Sequence, residues 1–241
     1  MSKKLKIFLG ISYLLIVSIF LYFIFLQVEI SRLNDFSYYK ETQVNLERYI
    51  GDNLYINLLI FFLFCVVWIS LLGFGTPILL VSGILFGKWI GTLISVVSVS
   101  AGALLLYSIS NFFFRDLINK LLEKKFSKYI VLFNKNEFFY FFIFRLTGGL
   151  SLPFVFQNTL PVIFNIKKIN YFFATLLGFI PVFFIWNTIG SGINQFIKLS
   201  NNFSFIDLLL SSEIYIPIIS FVVFIFMSLA IQKYIFNVSN K

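Results

Sequence analysis

Apolar runs of about 20 residues alternate with short charged connections along most of this chain, a pattern of membrane-crossing helices. Ile7–Leu26 contains no charge and no proline and predicts a first span. Glu29–Asn53 is polar and of mixed charge. Leu54–Leu72 is apolar again, and Gly73–Gly87 stays apolar but is broken by Gly73, Gly75, Pro77 and Gly83. Lys88 follows, then Trp89–Phe114 predicts another span, and Arg115–Lys135 is basic. Phe138–Asn165 is apolar and interrupted by Gly148, Gly149, Pro153 and Pro161. After Lys167 and Lys168, Tyr171–Ile189 reads as a span with Pro181 inside it. Gly190–Glu213 is a mixed connection, and Ile214–Phe236 is the last apolar span.

Leu54–Gly87 and Phe138–Asn165 thus carry helix breakers near their middles. Irregular backbone at membrane depth survives only where protein or a wet cavity satisfies its polar groups. Two re-entrant hairpins, dipping into the membrane and returning to the side they left, account for both blocks; a kinked continuous helix is the alternative. With the N-terminus cytoplasmic and both blocks re-entrant, thirteen of the nineteen Lys and Arg residues fall on the cytoplasmic side, among them Lys3, Lys120, Lys135, Lys167 and Lys233. Five fall on the other side and Arg145 is left within the apolar block, as the positive-inside rule asks. Both termini are then cytoplasmic. A broken segment followed by a span, repeated with opposite orientation, is a transporter-like plan. The expected fold is an all-α integral membrane protein, an inverted repeat with two opposed re-entrant helical hairpins plus about four full transmembrane helices. Its expected divisions are 1–53, an N-terminal anchor and polar connection; 54–192, the hairpin domain; and 193–241, a connection and C-terminal transmembrane helix.

Composition narrows the chemistry. Hydrophobic residues make up 59% of the chain and charged ones 12%, which excludes an ordinary soluble domain. The net charge of +9 follows the loops, so it does not signal a nucleic-acid partner. There is no histidine, and the lone Cys65 has no thiol partner. All ten carboxylates lie in connections or at span ends, as Glu29, Asp116, Glu137 and Glu213 do. No phosphate-cradling glycine loop occurs. Neither an enzyme nor a cofactor or metal is expected. The basic start and Ile7–Leu26 fit a signal peptide or a retained anchor; the length of the run and the lack of a small-x-small cleavage site favour the anchor. The Phe, Ile, Lys and Asn bias, with 15 Lys against 4 Arg, points to a bacterial source.

Arg145 is the most informative residue. A charge among Phe138–Phe144, Gly148 and Pro153 needs a partner, a cavity or headgroup access. It either binds a lipid phosphate through its guanidinium fork or snorkels to the interface. Gln157 and Asn158, with Asn187 and Thr188 in the next span, line a polar path or pin the hairpin tip. Gly83, Gly87, Gly91 and Ser95 recur every four residues and predict a small-residue packing face. In 117–133, Leu117, Leu121, Leu122, Tyr129, Ile130 and Phe133 share one side and Lys120, Lys124 and Lys128 another. Such a basic amphipathic helix lies on an anionic cytoplasmic leaflet.

Two blocks of residues resemble the VTT-domain family, also called the SNARE-associated Golgi protein family, relatives of the bacterial DedA proteins. One runs from Thr76-Pro77 through Ser82-Gly83-Ile84-Leu85-Phe86-Gly87 to Gly91 and Gly102. The other comprises Arg145, Leu152-Pro153-Phe154, Asn158, Ala174-Thr175-Leu176-Leu177-Gly178, Pro181 and Gly190-Ser191. The likeness covers roughly residues 70 to 192. It implies opposed re-entrant hairpins and movement of lipids across a bilayer. It departs from DedA members in having no acid within Gly73–Gly87, no arginine after Arg145, and Gly148-Gly149 where many carry a proline.

The expected function is a lipid transporter or scramblase of the bacterial inner membrane, moving phospholipid or polyprenyl-phosphate headgroups, with membrane lipids as its partners. Arg145 meets the phosphate, Pro77 and Pro153 shape the hairpin tips with Gln157 and Asn158 beside them, and Gly83, Gly87, Gly91 and Gly178 serve helix packing. An ion- or small-solute-coupled carrier and a non-transporting scaffold are the alternatives. The oligomeric state is left open.

Overall fold

A computed structural model describes residues 36–71, 75–149, 152–200 and 204–237, with positions 12, 15, 18, 19 and 22. The remainder of the expected Ile7–Leu26 span lies outside the described residues. The chain divides into two compact units, Met1–Thr42 and Gln43–Lys241, and the larger holds all the features below except the start of the first helix, residues 36–42.

Among the described residues every element is a helix. In order they are α1 (Phe36–Asp52), α2 (Leu54–Ser70), α3 (Gly75–Lys135), α4 (Glu137–Leu146), α5 (Phe154–Thr159, continued by a 3-10 turn over Leu160–Phe164), α6 (Lys168–Leu199), α7 (Phe205–Leu210) and α8 (Ser212–Asn237). Among the described residues three stretches are long and apolar enough to cross a membrane: Gly75–Phe113, Lys168–Leu199 and Ser212–Ile235. Each contains or overlaps one expected span, and the first also takes in residues 75–87 of the first broken block. Helices α1 and α2 qualify as a fourth only as one unit, and they are bent by 106°.

Helix α3 is not straight. Gly87 has φ 72° and ψ 176°, a conformation open in practice only to glycine. The chain doubles back there. Ser82 and Ser95 would stand about 20 Å apart on an unbroken helix, yet both hydrogen-bond the Asn187 side chain. A Cβ on Gly91 would stand 2.6 Å from the Ser82 carbonyl. Segment 75–86 therefore runs antiparallel to 88–113, and also to α2, whose Phe61 ring meets that of Phe86 at 5.3 Å. Tyr107 and Phe133 both reach the 164–166 turn, Tyr107 through its OH to the Ile166 carbonyl (2.7 Å) and Phe133 by stacking on Phe164 (4.0 Å). The 88–135 stretch therefore bends as well.

The expectation that Gly83, Gly87 and Gly91 share one packing face needs correction, because the reversal at Gly87 interrupts that face. Nothing lies within 4 Å of a Cβ on Gly87, whereas Gly83 abuts the Asn187 backbone and Gly91 its side chain. Gly87 turns the chain; Gly83 and Gly91 let helices approach.

The second broken block also doubles back. Helix α4 and the 154–164 segment are about 15 and 19 Å long, half a hydrocarbon core. Their outer ends meet: Glu137 accepts the Lys167 N–H (3.0 Å) and the Asn170 side-chain N–H (2.5 Å). The turn between them contains Gly148 and Gly149, both at positive φ. Helix α6 runs antiparallel to 88–113, with Tyr171 stacked on Tyr107 at one end (4.5 Å) and Asn187 bonded to Ser95 at the other. Helix α8 packs on α6 through Trp186 and Phe221 (5.3 Å). Its Ile216, Ile219, Val223, Phe226 and Met227 are exposed, as are Leu93, Val97, Leu105 and Phe112 of α3 and Phe173, Leu177 and Ile180 of α6. An apolar surface of this extent calls for hydrocarbon rather than water.

Candidate functional site

Arg145 ends α4 and is wholly buried, at 0% exposure, so it does not snorkel. Its Nη2 donates to Asn158 Oδ1 (2.7 Å) and to the Tyr171 hydroxyl (2.6 Å), and its Nε donates to Thr175 Oγ1 (3.2 Å). The Phe141, Tyr171 and Phe179 rings stand 5.0, 5.3 and 5.0 Å from its guanidinium carbon, within cation–π range. No carboxylate pairs with it among the described residues. Arg145 Nη1 and Asn158 Nδ2 have no hydrogen-bond partner there, a costly state for buried donors. The site is a buried cationic fork held on one edge by neutral oxygens, with Nη1 unpaired on the other.

The elements place these groups in simple ways. Tyr171 and Thr175 lie one turn apart on α6, and Gly178 continues that face. A Cβ on Gly178 would stand 2.6 Å from Arg145 Cβ, so only glycine lets α4 come this close. Asn158 returns to the arginine on α5 after the hairpin turn.

Of the predicted residues, Arg145 and Asn158 come together. Gln157 does not join them. It pins the turn, donating to the Gly148 (3.1 Å) and Leu152 (2.7 Å) carbonyls. Pro153 precedes the first turn of α5 and Pro77 lies in the first turn of 75–86, where a missing N–H costs nothing; both are exposed. Among the described residues Thr188 bonds its own helix, at the Phe184 carbonyl. Asn187 centres a second buried cluster, accepting from Ser82 Oγ (2.5 Å) and donating to Ser95 Oγ (3.2 Å) and the Phe183 carbonyl (2.8 Å). In 117–133, Ile118, Phe126, Tyr129, Ile130 and Phe133 pack against the protein, while Leu117 and Leu121 are exposed.

The two clusters are related by a constant separation of 76 in residue number. Gly102 abuts Val66 and Ile69 as Gly178 abuts Phe142 and Arg145. Pro77 corresponds to Pro153, Ser82 to Asn158 and Ser95 to Tyr171. In each half, the residue five past the proline and the one thirteen further on bind a shared polar side chain: Asn187 in the first half, Arg145 in the second. Gly75, beside the first turn, faces the Phe154 ring beside the second, 3.7 Å from a Cβ placed there.

The VTT domain family model matches residues 73–192, which hold both clusters. No solved structure matches the chain. The apolar helices and this domain make it a multi-pass membrane protein.

Proposed function

The chain belongs to the VTT domain family, and from that premise we propose that it lets lipid headgroups cross a membrane while their tails stay in hydrocarbon. The observation that carries this reading is the half-satisfied guanidinium of Arg145 at the inner end of a half-length hairpin. A fixed cation with a free donor edge, lined by hydroxyl, amide and aromatic groups, suits a phosphate in passage. Its neutral partners give way more easily than a carboxylate would. The 76-residue correspondence supports two re-entrant hairpins in inverted orientation, meeting near Gly75 and Phe154 with their mouths at opposite ends. Alternate rocking of such halves moves a site between two faces. In this reading Glu137 and Lys167 face the cytoplasm of a bacterial inner membrane, and the 117–133 helix lies along its anionic leaflet.

The test uses purified protein in sealed liposomes with a fluorescent phospholipid and a dithionite quench. Quenching well beyond the outer-leaflet fraction is expected, and Arg145→Ala should bring it back towards the protein-free level. Quenching that stops at the outer leaflet for both would remove broad lipid exchange. Faster exchange unaffected by Arg145→Ala would remove the arginine from it.

A further inference from the structure

A cavity of about 510 Å³ lies not at Arg145 but at the mouth of the second hairpin. Phe133 and Phe164, stacked at 4.0 Å, are among its apolar lining. Lys135 and Lys167 flank it, and Asn165 and Asn170 offer side-chain amides. Glu137 also lines it, but its carboxylate is already engaged: one oxygen takes the Lys167 N–H and the other the Asn170 side chain, at the start of α6. Arg115 Nη2 donates to Oδ1 of the lining residue Asn165 (3.1 Å), which brings a third cation near the cavity.

At the mouth of the first hairpin there is a cavity of about 240 Å³, also lined by the two limbs. The 76-residue correspondence relates the two: Asn57, Ile60 and Phe61 of the smaller stand where Phe133, Asn136 and Glu137 of the larger do. Among the described residues the smaller has no charged residue in its lining, which also includes Leu46, Tyr49, Ile50, Phe64, Leu85 and Phe86. Equivalent places in the two halves therefore present opposite chemistry, one cationic and polar, the other apolar.

We propose that the Lys135–Lys167 mouth is a docking site for the phosphate of an anionic phospholipid, and that the apolar mouth has no such site, so headgroup recognition is confined to one face of the membrane. This deepens the lipid-exchange reading and rests on it for the membrane setting. Two lysines supply point charges and rotatable donors to phosphate oxygens. The Asn165 and Asn170 amides offer further polar contacts to the headgroup, and the stacked rings suit the glycerol and first methylenes. Because Glu137 is engaged by the protein, no free carboxylate remains for a choline or ethanolamine, which selects a net anionic lipid over a zwitterionic one.

The probe is dioctanoyl phosphatidylglycerol, added to the full chain in maltoside detergent at low ionic strength and read as the rise in melting temperature with concentration. Dioctanoyl phosphatidylcholine and inorganic phosphate are the comparison probes. The wild type should be stabilised by phosphatidylglycerol and much less by the other two. Lys135→Gln with Lys167→Gln should raise the half-saturating concentration about tenfold or more, the loss of about 1.4 kcal/mol of charge-assisted contact. Glu137→Gln should lower it, since a like charge is removed, and a merely misfolded mouth would not give the two variants opposite signs. Lys88→Gln, beside the other mouth, should leave it unchanged. Equal half-saturation in the lysine double variant, or equal stabilisation by phosphatidylcholine, would overturn the proposal. An equal effect of inorganic phosphate would assign the site to a soluble anion and overturn the lipid. Translocation by the same proteins separates this inference from the broader reading: exchange that persists while phosphatidylglycerol binding ignores the lysines sinks the mouth alone, and lysine-dependent binding without any exchange sinks the exchange alone.

Discussion

Arg145 is held by three neutral oxygens and three rings, and an arrangement without a counter-charge is poor for stability. Replacing a buried, incompletely paired ion with an apolar side chain of similar length is often neutral or stabilising. Arg145→Met should therefore keep or raise the melting temperature in detergent while translocation falls; a large loss of stability would mean that the guanidinium is a structural strut. Asn187 is the opposite case, with its oxygen and its amide nitrogen both paired. Asn187→Leu should destabilise by about 1–2 kcal/mol, read as a lower melting temperature. The sequence shows Arg145 because a charge stands out in an apolar run, and shows Asn158 and Asn187 as amides in such runs. It does not show Tyr171 and Thr175, whose single polar atoms sit on otherwise apolar side chains. Their spacing of four, continued by Gly178, was the available signal, and it marks a face without saying what meets it.

At the scale of elements, glycine does two kinds of work that composition cannot separate. Gly83, Gly87 and Gly91 form one apparent stripe, yet the first and last allow close approach and the middle one reverses the chain. Gly87→Ala should cost about 1–3 kcal/mol through its φ of 72° although open space surrounds it. Gly178→Ala should destabilise through contact instead, pushing Arg145 away from α6, so its translocation should fall further than that of Gly87→Ala at equal melting temperature. That the two broken blocks double back was legible from their breakers, because Gly148, Gly149 and Pro153 do lie in the second turn. The reversal at Gly87 was implied by the end of the first block before Lys88, although the four-residue recurrence of Gly83, Gly87 and Gly91 reads straight through it.

For the whole molecule the decisive question is which ends share a face of the membrane. Glu137 touches Lys167, so the chain returns to its starting level between 137 and 167. In a variant with Cys65 replaced by Ala, single cysteines at Asn136 and Lys167 should react with an impermeant maleimide from the same side of sealed vesicles, and one at Lys88 from the other. Labelling of 136 and 167 from opposite sides would make 138–165 a span and dissolve the hairpin reading. Charge bias anticipates this arrangement because lysines mark loops. It carries no information on the cavity at the mouth, where Glu137, Asn165 and Asn170 look like ordinary connection residues until the fold brings them together.

Gln232 of α8 donates to the Thr147 carbonyl (2.6 Å), across 85 residues of chain, in the turn of the second hairpin. During synthesis that carbonyl exists well before its partner does. At about 5–20 residues per second, the interval is roughly 4–17 s. In the re-entrant reading proposed above, a half-length hairpin with an open carbonyl cannot settle in bare lipid. On that reading its tip stays hydrated or sheltered until α8 arrives, and a single side chain ties the hairpin to the last helix.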